Sequence, residues 1–305
     1  MAHKVFIDGE VGTTGLQIRE RLEPRADIAL IRIDPERRKD ADARAAALAE
    51  ADVAILCLPD AAAKEAAALA APHGTRLIDA STAHRVDPNW VFGFPEMATG
   101  QRAAIAGAER VSNPGCWSTC AIALIRPLVE AGIIAPDSAP AISGVSGYTG
   151  GGKAMIAEYE SGETSGSFLY GAGQGHKHLP EIARHGLLTA APVFVPSVGH
   201  YAQGMALALH LPGLGAEGLE KAEAALRAHY DGARFVSVVE ATTHEPRVNP
   251  ERLNGTNNLH LSVHGNRDSG AAVLVAVLDN LGKGASGAAV QNLNVMLGLD
   301  EDTGL

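Results

Sequence analysis

The sequence predicts an α/β domain followed by an α+β domain whose sheet is mainly antiparallel. In the first part of the chain, strand-like and helix-like segments alternate across short loops, as they do in a parallel sheet covered on both faces. Beyond Ala131, strand-like runs follow one another with few helices between. At 305 residues and 46% hydrophobic content, the chain can fill two cores of ordinary size.

The first strand is expected at Lys4–Asp8, then Gly9-Glu10-Val11-Gly12-Thr13-Thr14-Gly15, then a helix over Leu16–Leu22. Strand, glycine turn and helix in that order let a backbone approach a pyrophosphate whose charge rests on the helix N-terminus. This marks a Rossmann-type dinucleotide-binding domain, with Gly-x-x-Gly-x-x-Gly in place of the commoner Gly-x-Gly-x-x-Gly. A second strand, Ile28–Ile33, ends at Asp34, near the offset where such folds read a ribose hydroxyl. Arg37, Arg38 and Lys39 follow within a turn, and guanidinium forks there can hold a 2′-phosphate, so the residues alone leave both NAD and NADP open. A helix over Arg38–Ala51, strand Val53–Leu58, helix Ala61–Ala71 and strand Arg76–Asp79 continue the alternation. Extended runs at Val91–Phe94 and Ala103–Ile105 complete the sheet.

Next comes Val111-Ser112-Asn113-Pro114-Gly115-Cys116. Asn-Pro-Gly is turn chemistry, and Cys116–Ala131 reads as a helix. Cys116 therefore stands at a helix N-terminus, where unpaired N–H groups and the helix dipole favour thiolate over thiol. That placement makes it a candidate nucleophile rather than a small core residue. Cys120, one turn on, and Cys57, within an apolar run, read as core.

Strands of the second domain are expected at Ala141–Val145, Val193–Val195, Met205–Leu211, Phe235–Glu240, Leu259–Val263 and Ala271–Leu278. Strict alternation over Leu259–His264 suits a sheet wet on one face, which helices or another subunit would cover. A closing helix, Ser286–Leu297, can return to the first domain. The expected division is residues 1–115 with 284–305, and residues 116–283 as a catalytic and dimerisation domain. Glycine-rich segments Ser143–Lys153 and Tyr170–Glu181 are long loops of the kind that carry function. No second ligand pair stands at metal spacing from His176-Lys177-His178, so no metal is expected there, and an acid or base beside Cys116 is the better use.

A formal charge of −10 argues against a nucleic-acid groove or binding to an anionic membrane. An anionic ligand must then be held by a few placed cations and helix N-termini. Three cysteines, an odd count, fit a reducing compartment. Met1–Lys4 leads straight into Val5-Phe6-Ile7 without a signal-peptide core, and no apolar run approaches about 18 residues, so a cytoplasmic protein is expected.

Gly9-x-x-Gly12-x-x-Gly15, Ser112-Asn113-Pro114-Gly115-Cys116, Ser143-Gly144-Val145-Ser146-Gly147 and His176-x-His178-x-Pro180-Glu181 together resemble the N-acetyl-γ-glutamyl-phosphate reductase family, in its shorter form, within the aspartate-semialdehyde dehydrogenase group. The resemblance runs in order over nearly the whole chain. It departs from the commoner pattern at Leu58-Pro59-Asp60, where many relatives carry His after Pro, and at the longer Tyr148–Gly152 segment. The resemblance implies NADPH as cofactor and an acyl phosphate of N-acetylglutamate as substrate, in arginine biosynthesis; a homodimer or homotetramer is the expected assembly, with the oligomeric state left open by the sequence. It implies Cys116 as nucleophile through a thioester and His176 as acid and base. Tyr170, His178, Arg85, Lys153 and Glu181 are the expected substrate contacts, Glu181 by orienting a histidine. Gly9, Gly12, Thr13, Thr14, Gly15, Arg37, Arg38 and Ser81 are the expected cofactor contacts. Two alternatives stay beside this reading: a sister reductase of aspartyl phosphate or of a carrier-linked aminoadipyl or glutamyl phosphate, and a non-catalytic dinucleotide-binding sensor with Cys116 as redox switch.

Overall fold

Val5, Phe6 and Ile7 show how the first unit is built. In β1 (His3–Asp8), Val5 and Ile7 turn to one face of a sheet and Phe6 to the other, each joining a separate apolar cluster. The computed structural model describes residues 2–305. After β1 come α1 (Thr13–Leu22), β2 (Ile28–Ile31), α2 (Ala41–Glu50), β3 (Val53–Leu56), α3 (Asp60–Ala70), β4 (Arg76–Asp79), β5 (Val91–Phe92), α4 (Gln101–Gly107) and β6 (Arg110–Ser112). The strands pair in parallel in the order β2-β1-β3-β4-β6-β5. Ala47, Leu48, Leu77 and Trp90 pack with Phe6. Ile18, Leu22 and Ile55 pack with Val5 and Ile7, joined by Val290 and Leu293 of the C-terminal helix.

Ala103–Ile105, expected as a strand, lies inside α4. Alanine is the strongest helix former, and Gly100, at φ 82°, starts the helix. The place in the sheet goes instead to β6, whose Val111 is fully buried.

In the second unit the sheet is laid on α5 (Cys116–Glu130), which is buried continuously from Trp117 to Ile125. Pro127 sits in its last turn and has no N–H for the Ala123 carbonyl four residues back. Tyr230 Oη donates to that carbonyl instead, at 2.9 Å. Then follow β7 (Ala141–Gly147), α6 (Gly152–Glu160), β8 (Phe168–Leu169), α7 (Leu179–His185), β9 (Val193–Gly199), β10 (Met205–Leu211), α8 (Gly215–His229), β11 (Val236–Val238), β12 (Leu259–Gly265) and β13 (Ala272–Leu278). The C-terminal helix, Gly287–Leu297, is α9.

The seven-stranded sheet runs β11-β12-β13-β10-β7-β9-β8. Antiparallel pairing dominates, but β11 with β12 and β7 with β9 run parallel. Helices α6, α7 and α8 fill connections where few helices were expected. One face carries Phe194, Leu207, Leu209 and Leu274 and is covered by α5. The other face holds Ser143, Val145 and Ala208, and leaves Val193 46% and Val195 36% exposed.

The first unit takes the residues up to Pro95, Thr99–Pro114 and Ala285–Leu305, and the second takes Glu96–Ala98 and Gly115–Gly284. Glu96–Ala98, which the sequence reading put in the first domain, are drawn into the second by two contacts. Both Glu96 carboxylate oxygens accept from Lys283 Nζ, at 2.9 and 2.8 Å, and Met97 O bonds His229 Nε2 at 3.0 Å. Lys283 is 1% exposed and Glu96 8%, with the Phe235 ring 5.5 Å from the ammonium. Removing one partner of so buried a pair strands the other charge. Lys283→Met is therefore expected to lower unfolding free energy by roughly 3–5 kcal/mol in denaturant melts, and Lys283→Met with Glu96→Gln by less. A single variant as stable as wild type would contradict this.

Candidate active site

Cys116 is the first residue of α5, and the backbone on either side of it is tied down. Gly115 is extended at the N-cap, and its carbonyl accepts from Thr119 N–H at 2.9 Å. Its N–H donates to Glu181 Oε2 at 3.3 Å, from a carboxylate 1% exposed at the start of α7. The loop after β13 closes against Cys116 through Gly284. A Cβ on Gly284 would stand 2.7 Å from Cys116 Cβ and 3.1 Å from Asp279 O, so no larger residue fits without displacing the cysteine. That loop is fixed by the fully buried Asp279, whose carboxylate accepts from Gly255 N–H at 2.8 Å, Leu281 N–H at 2.9 Å and Gln203 Nε2.

Of the other cysteines, burial, with the charges of Asp79 and Asp8, pushes Cys57 up to about 12. Burial and the charge of Cys116 push Cys120 well above its ordinary value. Neither is a thiolate at neutral pH. Cys116 is half-buried and stands where the dipole of a fifteen-residue helix favours an anion.

In the same unit Tyr170, His176 and His178 form an aromatic group with Trp117 and Phe194. Trp117 Nε1 donates to Tyr170 Oη at 2.8 Å. The His176 ring lies 5.7 Å from Tyr170, 4.7 Å from His178 and 5.1 Å from Phe194, centroid to centroid. His178 N–H donates to His176 Nδ1 at 3.2 Å; a backbone N–H can only donate, so the neutral ring carries its proton on Nε2. Burial, then the neighbouring Lys177, lower His176 from 6.5 to about 4. Burial and the charge of Cys116 push Tyr170 up to about 12. Glu181 Oε1 stands 3.9 Å from His178 Nε2, and the carboxylate also reaches the amide before Cys116, a contact the sequence reading did not foresee.

Lys153 is exposed in the first turn of α6. Trp117, Phe194, Asp279 and Gly284 were not singled out from the sequence. Only Gly282-Lys283-Gly284, a glycine turn between a strand and a helix, offered a signal.

The first unit holds the candidate cofactor residues. Gly9 follows β1 at φ +93°, and a Cβ there would stand 2.3 Å from Cys57 O, so this turn needs glycine. Gly12 N–H closes the turn onto Gly9 O at 3.0 Å, and Thr13 and Thr14 open α1, with Gly15 buried behind them. A cavity of about 540 Å³ opens beside this turn, lined by Gly9, Glu10, Val11, Arg19, Arg38 and Lys39 among others. Arg19 Nε is buried and has no hydrogen-bond partner among the described residues. An orphaned guanidinium nitrogen, with Arg38 and Lys39, in a cavity beside the glycine turn suits a phosphorylated dinucleotide. Asp34 does not line the cavity; its carboxylate accepts from Glu36 N–H at 3.0 Å. Arg37, expected among the cofactor contacts, does not line the cavity and makes an exposed ion pair at 2.9 Å with Asp40, the N-cap of α2. Ser81 is 8% exposed, and its N–H and Oγ donate to the Asp79 carboxylate at 2.9 and 2.7 Å. Arg85 is 8% exposed, with Nη2 donating to Ala80 O at 3.0 Å.

Residues 13–107 match the family described as semialdehyde dehydrogenase, NAD binding domain, and residues 116–280 match semialdehyde dehydrogenase, dimerisation domain. N-acetyl-gamma-glutamyl-phosphate reductases of Brucella ovis and Brucella abortus are each 52% identical over 98% of this chain and 100% of their own. The chain belongs to the N-acetyl-gamma-glutamyl-phosphate reductase family. The fold is also that of aspartate semialdehyde dehydrogenases. The Francisella tularensis structure aligns with a TM-score of 0.72 at 13% identity, covering 97% of this chain and 100% of that one. The Candida albicans structure with NADP aligns at 0.67 and 14%, covering 97% and 99%. In this reductase-family chain the first unit thus carries the dinucleotide-binding half, and the second carries Cys116.

As pH falls, the unfolded chain protonates His176 near 6.5 and the folded chain only near 4. The unfolded state therefore binds more protons between those values, and His176 makes stability fall with pH across that window and not above it. Denaturant melts from pH 7 to 4 should fall less steeply for His176→Asn than for wild type. An NMR titration placing the His176 midpoint near 6.5 would contradict the assignment.

Proposed function

We propose that this chain reduces N-acetyl-L-glutamyl 5-phosphate to N-acetyl-L-glutamate 5-semialdehyde and phosphate with NADPH, as the reductase step of L-arginine biosynthesis in the cytoplasm. The observation that carries the reading is Cys116 at the N-terminus of buried α5, in one unit with Tyr170 and His176. Full-length identity of 52% to reductases of that name supports the substrate.

Cys116 thiolate attacks the acyl carbon, phosphate leaves, and the acyl group is held on sulfur as a thioester. Bound NADPH supplies the hydride that reduces it. The resulting thiohemiacetal collapses to the semialdehyde and frees Cys116. His176 is neutral in the free chain. An acyl phosphate arriving beside it favours the imidazolium, so His176 takes up a proton with the substrate and gives it to the departing phosphate. Tyr170 and His178 border this space, and Glu181 acts on the Gly115 amide that sets the pitch of the helix start. Lys153 is a further candidate for holding the anionic end of the substrate. Arg38 and Lys39 are assigned to the 2′-phosphate of NADPH and Arg19 to the pyrophosphate side, with the amides of the Gly9–Gly15 turn. The half-exposed sheet face around Val193 and Val195 is assigned to a second copy of the chain, in keeping with the dimerisation domain it matches.

The deciding experiment runs purified protein backwards with N-acetylglutamate semialdehyde, phosphate and NADP⁺, beside aspartate semialdehyde. The former should turn over faster, and the reverse order would overturn the substrate assignment. Cys116→Ser should lose roughly three powers of ten in rate while still binding NADPH, as measured by fluorescence titration. Arg38→Ala with Lys39→Ala should weaken NADPH binding roughly ten-fold and leave NADH binding unchanged, since only the former carries the 2′-phosphate. Equal weakening of both would place these cations elsewhere on the nucleotide.

A further inference from the structure

Trp117 does more than fill the core. Its indole is 2% exposed, meets Phe194 edge-on at 5.3 Å between centroids and lies over Gly144, where any Cβ would stand 2.5 Å from ring atom Cζ3. A ring so enclosed is held in place. From there Nε1 donates to Tyr170 Oη at 2.8 Å. An indole N–H can only donate, so the phenol oxygen is the acceptor in this bond, and its own proton is left to point elsewhere. The backbone of Tyr170 is fixed too, its N–H donating to Pro196 O at 3.1 Å. With Tyr170 pushed up to about 12, that proton is present throughout the neutral range. Trp117 also follows Cys116 directly in α5, so nucleophile and indole belong to one helix turn.

We propose that Trp117 is a positioning residue for acyl transfer: by donating to Tyr170 Oη it commits the phenol proton to the oxygen anion formed when Cys116 adds to the acyl carbon. This deepens the reductase reading and rests on it. In the step, a sulfur lone pair forms the S–C bond and the carbonyl π pair moves onto oxygen, which accepts a hydrogen bond from Tyr170. The pair then returns, the C–O bond to phosphate breaks, and phosphate leaves with the bonding electrons. Tyr170 keeps its proton throughout. It is the group that touches the reacting oxygen, and Trp117 acts through it.

The test assays wild type, Tyr170→Phe, Trp117→Phe and the double variant in phosphate-dependent oxidation of N-acetylglutamate semialdehyde, which passes through the same tetrahedral anion. Tyr170→Phe should lose on the order of 10²-fold in kcat and Trp117→Phe roughly ten-fold, with KM within about three-fold. The double variant should fall no lower than Tyr170→Phe alone, the non-additivity of one residue working through another. Losses that multiply, or Trp117→Phe at the wild-type rate, would overturn the proposal. If Trp117→Phe does not fold, Trp117→benzothienylalanine keeps the ring shape and removes only the N–H, and the same outcomes decide. The pH midpoint of Cys116 alkylation by iodoacetamide should be unchanged in Tyr170→Phe; a raised midpoint would show the phenol serving the sulfur and sink the assignment. An inactive wild type would take down the reductase reading, whereas an active wild type with multiplying losses would take down this proposal alone.

Discussion

The start of α5, where Cys116 stands half-buried, is the end of that helix where negative charge is favoured, and the second unit is arranged around it. The dipole of α5 favours negative charge at Cys116 only if the helix stays straight and its first turn stays put. Its far end is repaired where Pro127 removes a donor, by the hydroxyl of Tyr230. Its near end is gripped by Glu181 on the Gly115 amide and by Gly284 against the side of the cysteine. Gly284 follows Lys283, whose buried pairing with Glu96 anchors the same loop that Asp279 holds from the other side. A charge buried this deeply is tolerated because both carboxylate oxygens and the ammonium find partners.

Around that end, hydrogen bonds decide which protons are available. His178 N–H occupies Nδ1 of His176 and leaves the exchangeable proton on Nε2, while Trp117 occupies the oxygen of Tyr170 and leaves its proton free. Burial acts in opposite senses on the two: it keeps His176 neutral by disfavouring the imidazolium, and keeps Tyr170 neutral by disfavouring the phenolate. The result is a pair of side chains that are both neutral at neutral pH and both keep a proton to donate. Anionic ligands of a chain carrying a net −10 must be drawn by local charge, and the cavity beside the Gly9 turn supplies it with Arg19, Arg38 and Lys39.

Much of this was legible in order along the chain. The strand, glycine turn and helix at Lys4–Leu22, and Asn113-Pro114-Gly115-Cys116 before a helix, are local patterns, because the backbone geometry they require is set within a few residues. The alternation of β1 to β4 with α1 to α3 could be read from apolar periodicity for the same reason. Ala103–Ile105 could not: an alanine-rich run carries little periodic signal, and its helical state depends on Gly100 and on packing against α9, far away in sequence. Arg37 is grouped with Arg38 and Lys39 by adjacency, and its exposed pairing with Asp40, outside the cavity lining, is not written in that adjacency.

By itself the sequence determined the two-part fold, the dinucleotide turn and the place of Cys116 at a helix start, because each is written in short stretches whose side chains and backbone preferences act on near neighbours. Only the tertiary structure decided which groups hold the Cys116 helix start and how the side chains of that unit are protonated. Trp117 with Tyr170, Glu181 with Gly115 and Lys283 with Glu96 stand 53, 66 and 187 residues apart in the chain. What joins them is burial, which leaves a polar group no choice but the partner the fold places beside it, and no pattern along a single strand or helix records that.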